Sequence, residues 1–146
     1  MKNNRVHHAI GIAAFCLFNF LTASLRAQSA DPKSDTVEWR YSRIENKVTN
    51  ETVVLSGKFI SYGGDKLKWV QNGLDREYVF VNNSASGAWS DLRNNGEIVY
   101  RSTCDRVDGT VTLSRTKKGL IIELDFVKPD KNTPHFVFPI DSFSKR

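Results

Sequence analysis

The chain has 146 residues, 25% of them charged and 40% hydrophobic, with a formal net charge of +5 and two cysteines. This length supports one domain with its own apolar interior and is too short for two. Two cysteines exclude a multiply stapled miniprotein, and the interleaving of Lys and Arg with acids excludes the one-sided basic stripe that nucleic-acid binding calls for.

Lys2 and Arg5 precede an uncharged run over residues 9–23, and a short polar segment closes on Leu25, Arg26 and Ala27. This is the outline of a secretory signal peptide over residues 1–27. As a helix the run reaches only about 22 Å, short of the ~30 Å hydrocarbon layer, so no transmembrane anchor is expected after cleavage. The preferred cut follows Ala27 and leaves Gln28 as the new terminus; a cut after Ala23 is the second choice. The destination is the periplasm or the exterior. Losing Lys2, Arg5 and Arg26 removes three of 21 basic residues and none of the 16 acidic ones, so the excess positive charge falls from +5 to +2. Cys16 leaves with the leader. Cys104 then stands alone and has no intramolecular disulfide partner, so stability must come from the core.

Residues 28–35, with Pro32 and Ser34, read as a flexible lead-in to a domain over residues 36–142. Val37, Trp39 and Tyr41 alternate with charged and polar neighbours in a first strand ending near Glu45. A second strand over 52–62 aligns Val53, Leu55, Gly57 and Phe59, with Gly63, Gly64 and Asp65 as the turn. The third, over 66–71, presents Leu67 and Trp69. The fourth, over 76–81, presents Tyr78 and Phe80. Residues 82–86 read as a loop, and a short fifth strand over 87–92 points Trp89 inward. Residues 97–126 carry the clearest pattern. Ile98, Tyr100, Ser102 and Cys104, then Val111 and Leu113, then Leu120, Ile122, Leu124 and Phe126 all alternate with polar positions. Joining these sets on one face requires connections of even length, read as 106–109 and 116–119. The connections 46–51 and 82–86 have the wrong parity, and each needs a bulge or a boundary moved by one residue. Phe136, Phe138 and Ile140 form the last strand, where the outward Pro139 fits an edge or a strand end.

The fold class is therefore all-β: one antiparallel meander of about nine strands, read as a small up-and-down barrel in preference to a two-layer sandwich. The size and strand pattern resemble those of compact calycin-type barrels, the group that includes lipocalins and avidins. Gly87, Ala88 and Trp89 spell the Gly-x-Trp of lipocalins, although here the triplet sits mid-chain and not at the first strand. The resemblance is one of architecture and implies no family.

With nine alternating strands, Arg43, Gln71, Asp91 and Arg115 fall at one rim, above an interior that includes Trp39, Trp69 and Trp89. Such a cup has a polar mouth and an aromatic lining. Two guanidiniums at a mouth suit a small amphipathic or anionic ligand, because guanidinium binds carboxylate bidentately while rings bury the tail. The competing reading is a filled core with ordinary wet rim residues, which makes the chain a structural or protein-interaction component of the cell envelope. Its surface would gather Ile121, Val79, Val81 and Val137 into one patch.

Catalytic readings find little support. His135 has outward parity while Cys104 points inward, so a Cys-His pair is not formed. Glu123 and Asp125 alternate on a wet strand face as ordinary surface charges do. No zinc or calcium ligand spacing and no phosphate-cradling glycine loop occurs, so neither a metal nor a cofactor is implied. Asn50-Glu51-Thr52 and Asn82-Asn83-Ser84 match the glycosylation acceptor pattern.

Overall fold

The computed structural model describes residues 29–73, 76–126 and 134–146, and the expected leader lies outside them. Eight strands follow in chain order: β1 (Thr36–Asn46), β2 (Glu51–Tyr62), β3 (Lys66–Gln71), β4 (Glu77–Ser86), β5 (Gly96–Cys104), β6 (Val107–Thr116), β7 (Gly119–Phe126) and β8 (His135–Lys145). Each pairs antiparallel with its neighbours in sequence, and β8 returns to β1, so the sheet closes as an up-and-down barrel. Closure disposes of the exposed edges that a sandwich retains.

Side-chain alternation sorts the residues as the sequence requires. Ile98, Tyr100, Ser102 and Cys104 are buried, and the register sets them opposite Leu113, Val111, Gly109 and Val107. Ile122 and Leu124 continue the same dry face on β7. The connections on either side of β6 are shorter than expected, each a two-residue turn, because Cys104 pairs with Val107 and Thr116 with Gly119. Even length is preserved, and so is the face. Asp105 and Arg106 take φ of 49° and 67°, the left-handed pair whose twist matches a hairpin. Gly109 is then a strand glycine, not a turn residue. A Cβ there would stand 2.6 Å from the Phe126 ring.

The fifth expected strand does not form. Residues 82–86 extend β4, and the chain then crosses the end of the barrel as a loop up to β5. Gly87, at φ 95°, ends the extended run. The Trp89 indole N–H donates to the carbonyls of Asp91 (2.8 Å) and Asn94 (2.9 Å), which folds the loop back on itself. The Gly-x-Trp triplet therefore lies in a loop. With one strand fewer, every later strand runs opposite to the expected direction.

Register shifts occur in the two strands where parity demanded them, between Tyr41 and Arg43 on β1 and between Asn82 and Ser84 on β4. Pro139 sits in the middle of β8, not at an edge or an end. Its missing donor falls beside a register irregularity at the β1–β8 seam, between Tyr41 and Glu45.

The described part of the lead-in, residues 29–35, is hydrogen-bonded to itself and to the loop before β5. Ser34 and Asp35 donate their N–H groups to the Asp31 carbonyl, and Leu92 donates to the carbonyl of Ala30. Ala30, Pro32, Trp89 and Leu92 are all buried and close the barrel end at which β1 begins. The domain also runs past residue 142, since the terminal Arg146 guanidinium donates to Glu38.

Candidate functional site

The seven residues assigned to the cup do not meet. Arg43 lies beyond the β1 bulge, which turns its side chain outward to an ion pair with Glu45 at 3.6 Å. Gln71 ends β3 at that same rim and is half-buried. Asp91 belongs to the loop at the other end, where its carboxylate accepts from the Arg93 guanidinium at 2.6 Å. Arg115 keeps inward parity on β6 but points to the plugged end. Its Nε is buried with no hydrogen-bond partner among the described residues. The lost strand separates the two guanidiniums by the length of the barrel, and the bulge removes one of them from the interior.

The tryptophans do not line an empty cavity either. Trp39 donates its indole N–H to Ser61 Oγ (3.0 Å), and Trp69 donates to the Tyr41 hydroxyl (2.7 Å). Phe138 packs at 4.8 Å from Phe59, 5.0 Å from Tyr41 and 5.2 Å from Trp69, centroid to centroid. Phe59 stacks on Trp69 at 5.7 Å. Rings in mutual contact occupy the axis of the barrel, and Trp89 belongs to its plug. A barrel of eight strands is just wide enough to be filled in this way.

A concavity of about 990 Å³ lies instead on the outer wall, over β4, β5 and β6. Beyond Val81, β4 leaves β3 and pairs with β5 alone, carrying Ser84 and Ser86 alongside Arg101 and Val99. Arg101 and Thr110 are cross-strand partners on the outward face of β5 and β6. Arg106 reaches in from the β5–β6 turn. The lining thus holds two guanidiniums, several hydroxyls and the short apolar side chains of Ala85 and Val99. Asp108 is already engaged: its carboxylate accepts from Thr103 Oγ1 (2.7 Å), which itself accepts from the Asn83 amide (2.8 Å). Neither Arg101 nor Arg106 forms an ion pair among the described residues. Both stand exposed, with donors available to an anion. Sequence reasoning passed over both, because an outward arginine on a wet strand and an arginine in a turn are ordinary.

On the opposite wall the register brings scattered charges together. Arg40 faces Lys58 directly, and the Glu38 carboxylate, its side chain 4% exposed, pairs with Arg40 (2.6 Å), Lys58 (3.6 Å) and Arg146. Burial pushes the Glu38 carboxyl up, but the three cations outweigh it and hold the group below the usual glutamate value. Asp91 is brought down to about 2 by hydrogen bonds from the Arg93 side chain and backbone. Hydrogen bonds from Lys145 and Lys47 lower Asp35 and Glu45. All four carboxyls are depressed in the folded state. Their stabilisation is therefore fully present above the ordinary carboxylate range and is lost as pH falls through the folded values. The urea midpoint is expected to hold steady down to roughly pH 4.5 and to decline from there toward pH 2. A flat midpoint across that window would show that these pairs contribute nothing.

His135 Nε2 lies 3.0 Å from Glu123 Oε2 on the outer wall, whereas the Cys104 thiol is buried inside and pushed up by that burial. They do not pair. Among the described residues no group of three His, Cys, Asp or Glu side chains is placed to hold a metal ion. The Asn82 side chain is committed, donating to the Gly64 carbonyl (3.0 Å) and accepting from Ser102 Oγ (2.7 Å), while Asn50 is exposed in its turn. The proposed valine patch does not assemble. Val79 and Val81 are exposed on β4, but Ile121 is half-buried on β7 and Val137 is buried on β8. No protein-family model matches the sequence, and no curated protein or solved structure shows significant similarity to it.

Proposed function

We propose that the chain is a non-enzymatic binding module for a small anionic ligand, met on the outer wall of the barrel and not in its lumen. The observation that supports this most is the convergence of Arg101 and Arg106 on one concavity whose remaining lining is hydroxyl, amide and short apolar groups and the Asp108 carboxylate, which Thr103 already engages. Guanidinium forks recognise carboxylate, phosphate and sulfate groups through paired N–H donors, and neighbouring hydroxyls orient the rest of the molecule. Among the described residues no histidine stands beside Ser84 or Ser86, and the Asp108 carboxylate of the same concavity is held by Thr103. His135 lies three strands from Arg101, roughly 14 Å across the sheet, so hydrolytic chemistry is not favoured.

Citrate, inorganic phosphate and laurate, titrated into nitrogen-15-labelled protein, are expected to give at least one saturable set of amide shifts. Those shifts should gather at Ser84, Ser86, Arg101, Arg106 and Thr110. The double variant Arg101→Ala/Arg106→Ala should weaken that binding at least about tenfold, since a charged hydrogen bond contributes about 1.5–3 kcal/mol. Shifts centred on Trp69 and Phe138 would return the ligand to the lumen. No saturable shift with any of the three would overturn the reading. A second reading, a filled protein-interaction module, is favoured by the exposed Val48, Val53 and Val54 on the β1–β2 hairpin.

A further inference from the structure

β2 is longer than the partner on its far side. Its pairing with β1 runs from Tyr62 down to Glu51, but its pairing with β3 begins only at Gly57, opposite Gln71. The last link on that side is the Asn72 N–H donating to the Ser56 carbonyl at 3.3 Å. Residues 51–55 thus form a strand with one edge paired to β1 and the other paired to no described strand. In a hairpin closed by the Asn46–Glu51 pair, Thr52 and Val54 turn their N–H and C=O groups away from β1. The side chains there are open as well: Val54 is 88% exposed and Val53 55%.

Proteins guard such edges with lysine, proline, an inward charge or a bulge that twists the edge away. Glu51-Thr52-Val53-Val54-Leu55 carries no lysine and no proline, and its one charge stands at the end. The register shift in the β1–β2 pairing lies at the barrel side of the segment and leaves Glu51 to Val54 in regular register with β1.

We infer that this edge pairs antiparallel with the same edge of a second copy of the chain, about a two-fold axis at Val53. An edge of amides with no partner among the described residues is matched by another extended strand, and this segment is its own complement. With Val53 opposite Val53 of the second copy, Thr52 faces Val54 and Glu51 faces Leu55. The two Thr52–Val54 pairs then use all the free backbone groups of both residues, in four hydrogen bonds, and no like charges stand directly opposite. Sliding the register so that Val54 faces itself calls on the Ser56 carbonyl, which Asn72 already occupies. The two valines at the axis bury each other, and β1–β2 of one barrel joins β2–β1 of the other as one continuous sheet. The contact involves a single short strand from each copy, below the usual size of a permanent interface, so the dimer forms in the micromolar range and not below it. The concavity over β4–β6 lies on other strands, so ligand binding and pairing succeed or fail independently.

Sedimentation of the protein from about 10 µM to about 1 mM is expected to show the mass rising from one chain to two. Thr52 and Val54 amides should gain hydrogen-exchange protection over the same range. Val53→Lys places two ammonium groups face to face at the axis and should hold the protein monomeric at every concentration. Val54→Pro removes a donor that β1 does not use and should do the same. Circular dichroism and the urea midpoint of each variant, measured at low concentration, should match the parent and so separate lost pairing from lost folding. A monomer at the highest concentration overturns the inference, as does a dimer in which these two amides exchange freely. Binding of a synthetic Thr-Val-Val-Leu peptide by a protein that stays monomeric also overturns it, and assigns the edge to a different chain.

Discussion

Phe138→Ala is expected to cost about 3–5 kcal/mol, a large part of the ~5–15 kcal/mol that holds a domain of this size together. Phe138 is 0% exposed and touches Tyr41, Phe59, Trp69 and Phe136, so truncating it removes the centre of a ring cluster that has no other side chain to fill the gap. Urea unfolding followed by tryptophan fluorescence reads this directly, because Trp69 packs against the deleted ring. Phe138→Leu keeps most of the volume and should lose markedly less, within about 1–3 kcal/mol. A cost below about 1 kcal/mol for the alanine variant would mean that the barrel axis is loosely packed. The case for a ligand in the lumen would then reopen.

Gly57→Ala is expected to be nearly as damaging, although it adds a single methyl group. That methyl would stand 2.6 Å from Tyr41 Cζ and 2.8 Å from the Val70 carbonyl oxygen. The carbonyl belongs to the sheet and cannot retreat, so the tyrosine ring must move. The Tyr41 hydroxyl is what accepts the buried Trp69 indole N–H. Displacing it adds a stranded donor, about 1–3 kcal/mol, to an overpacking cost of about 1–3 kcal/mol. Tyr41→Phe alone should lose only the hydrogen bond. In the double variant the ring carbon at 2.6 Å remains but the same hydrogen bond is already gone, so its cost should fall short of the two single costs added together. Simple additivity, measured by urea midpoints, would show that the Gly57 and Tyr41 effects are unrelated.

Much of the barrel was legible from alternation. The dry faces of β5, β6 and β7 follow from consecutive residues, because a strand places neighbours on opposite sides whatever lies beyond it. The bulges of β1 and β4 were legible as a need, since two connections had the wrong parity, but their positions were not. On β1 the shift came before Arg43 and turned that residue out of the interior. Trp89 misled for a different reason. A tryptophan after Gly-Ala, beside a polar neighbour, reads as one inward position of a short strand. Its hydrogen bonds to the carbonyls of Asp91 and Asn94, which make the segment a loop, leave no mark on the pattern.

The candidate site was the least legible part. Arg101 has the outward parity that the sequence assigns it, and Arg106 sits in a connection. Nothing local says that β4 continues past Val81 and lays Ser84 and Ser86 beside them. The cations of the opposite wall behave alike. Arg40 and Lys58 are far apart in the chain and directly opposed in the sheet, where with Arg146 they surround a buried carboxylate.

What the amino-acid order determined alone is which side of each strand is dry, because that depends only on neighbours two residues apart. Which strand ends share a rim, and which charges share a wall, was decided by the closed barrel. Strand direction accumulates over every connection before it, so losing one strand at Gly87 reversed all that followed and carried Arg115 to the end opposite Arg43.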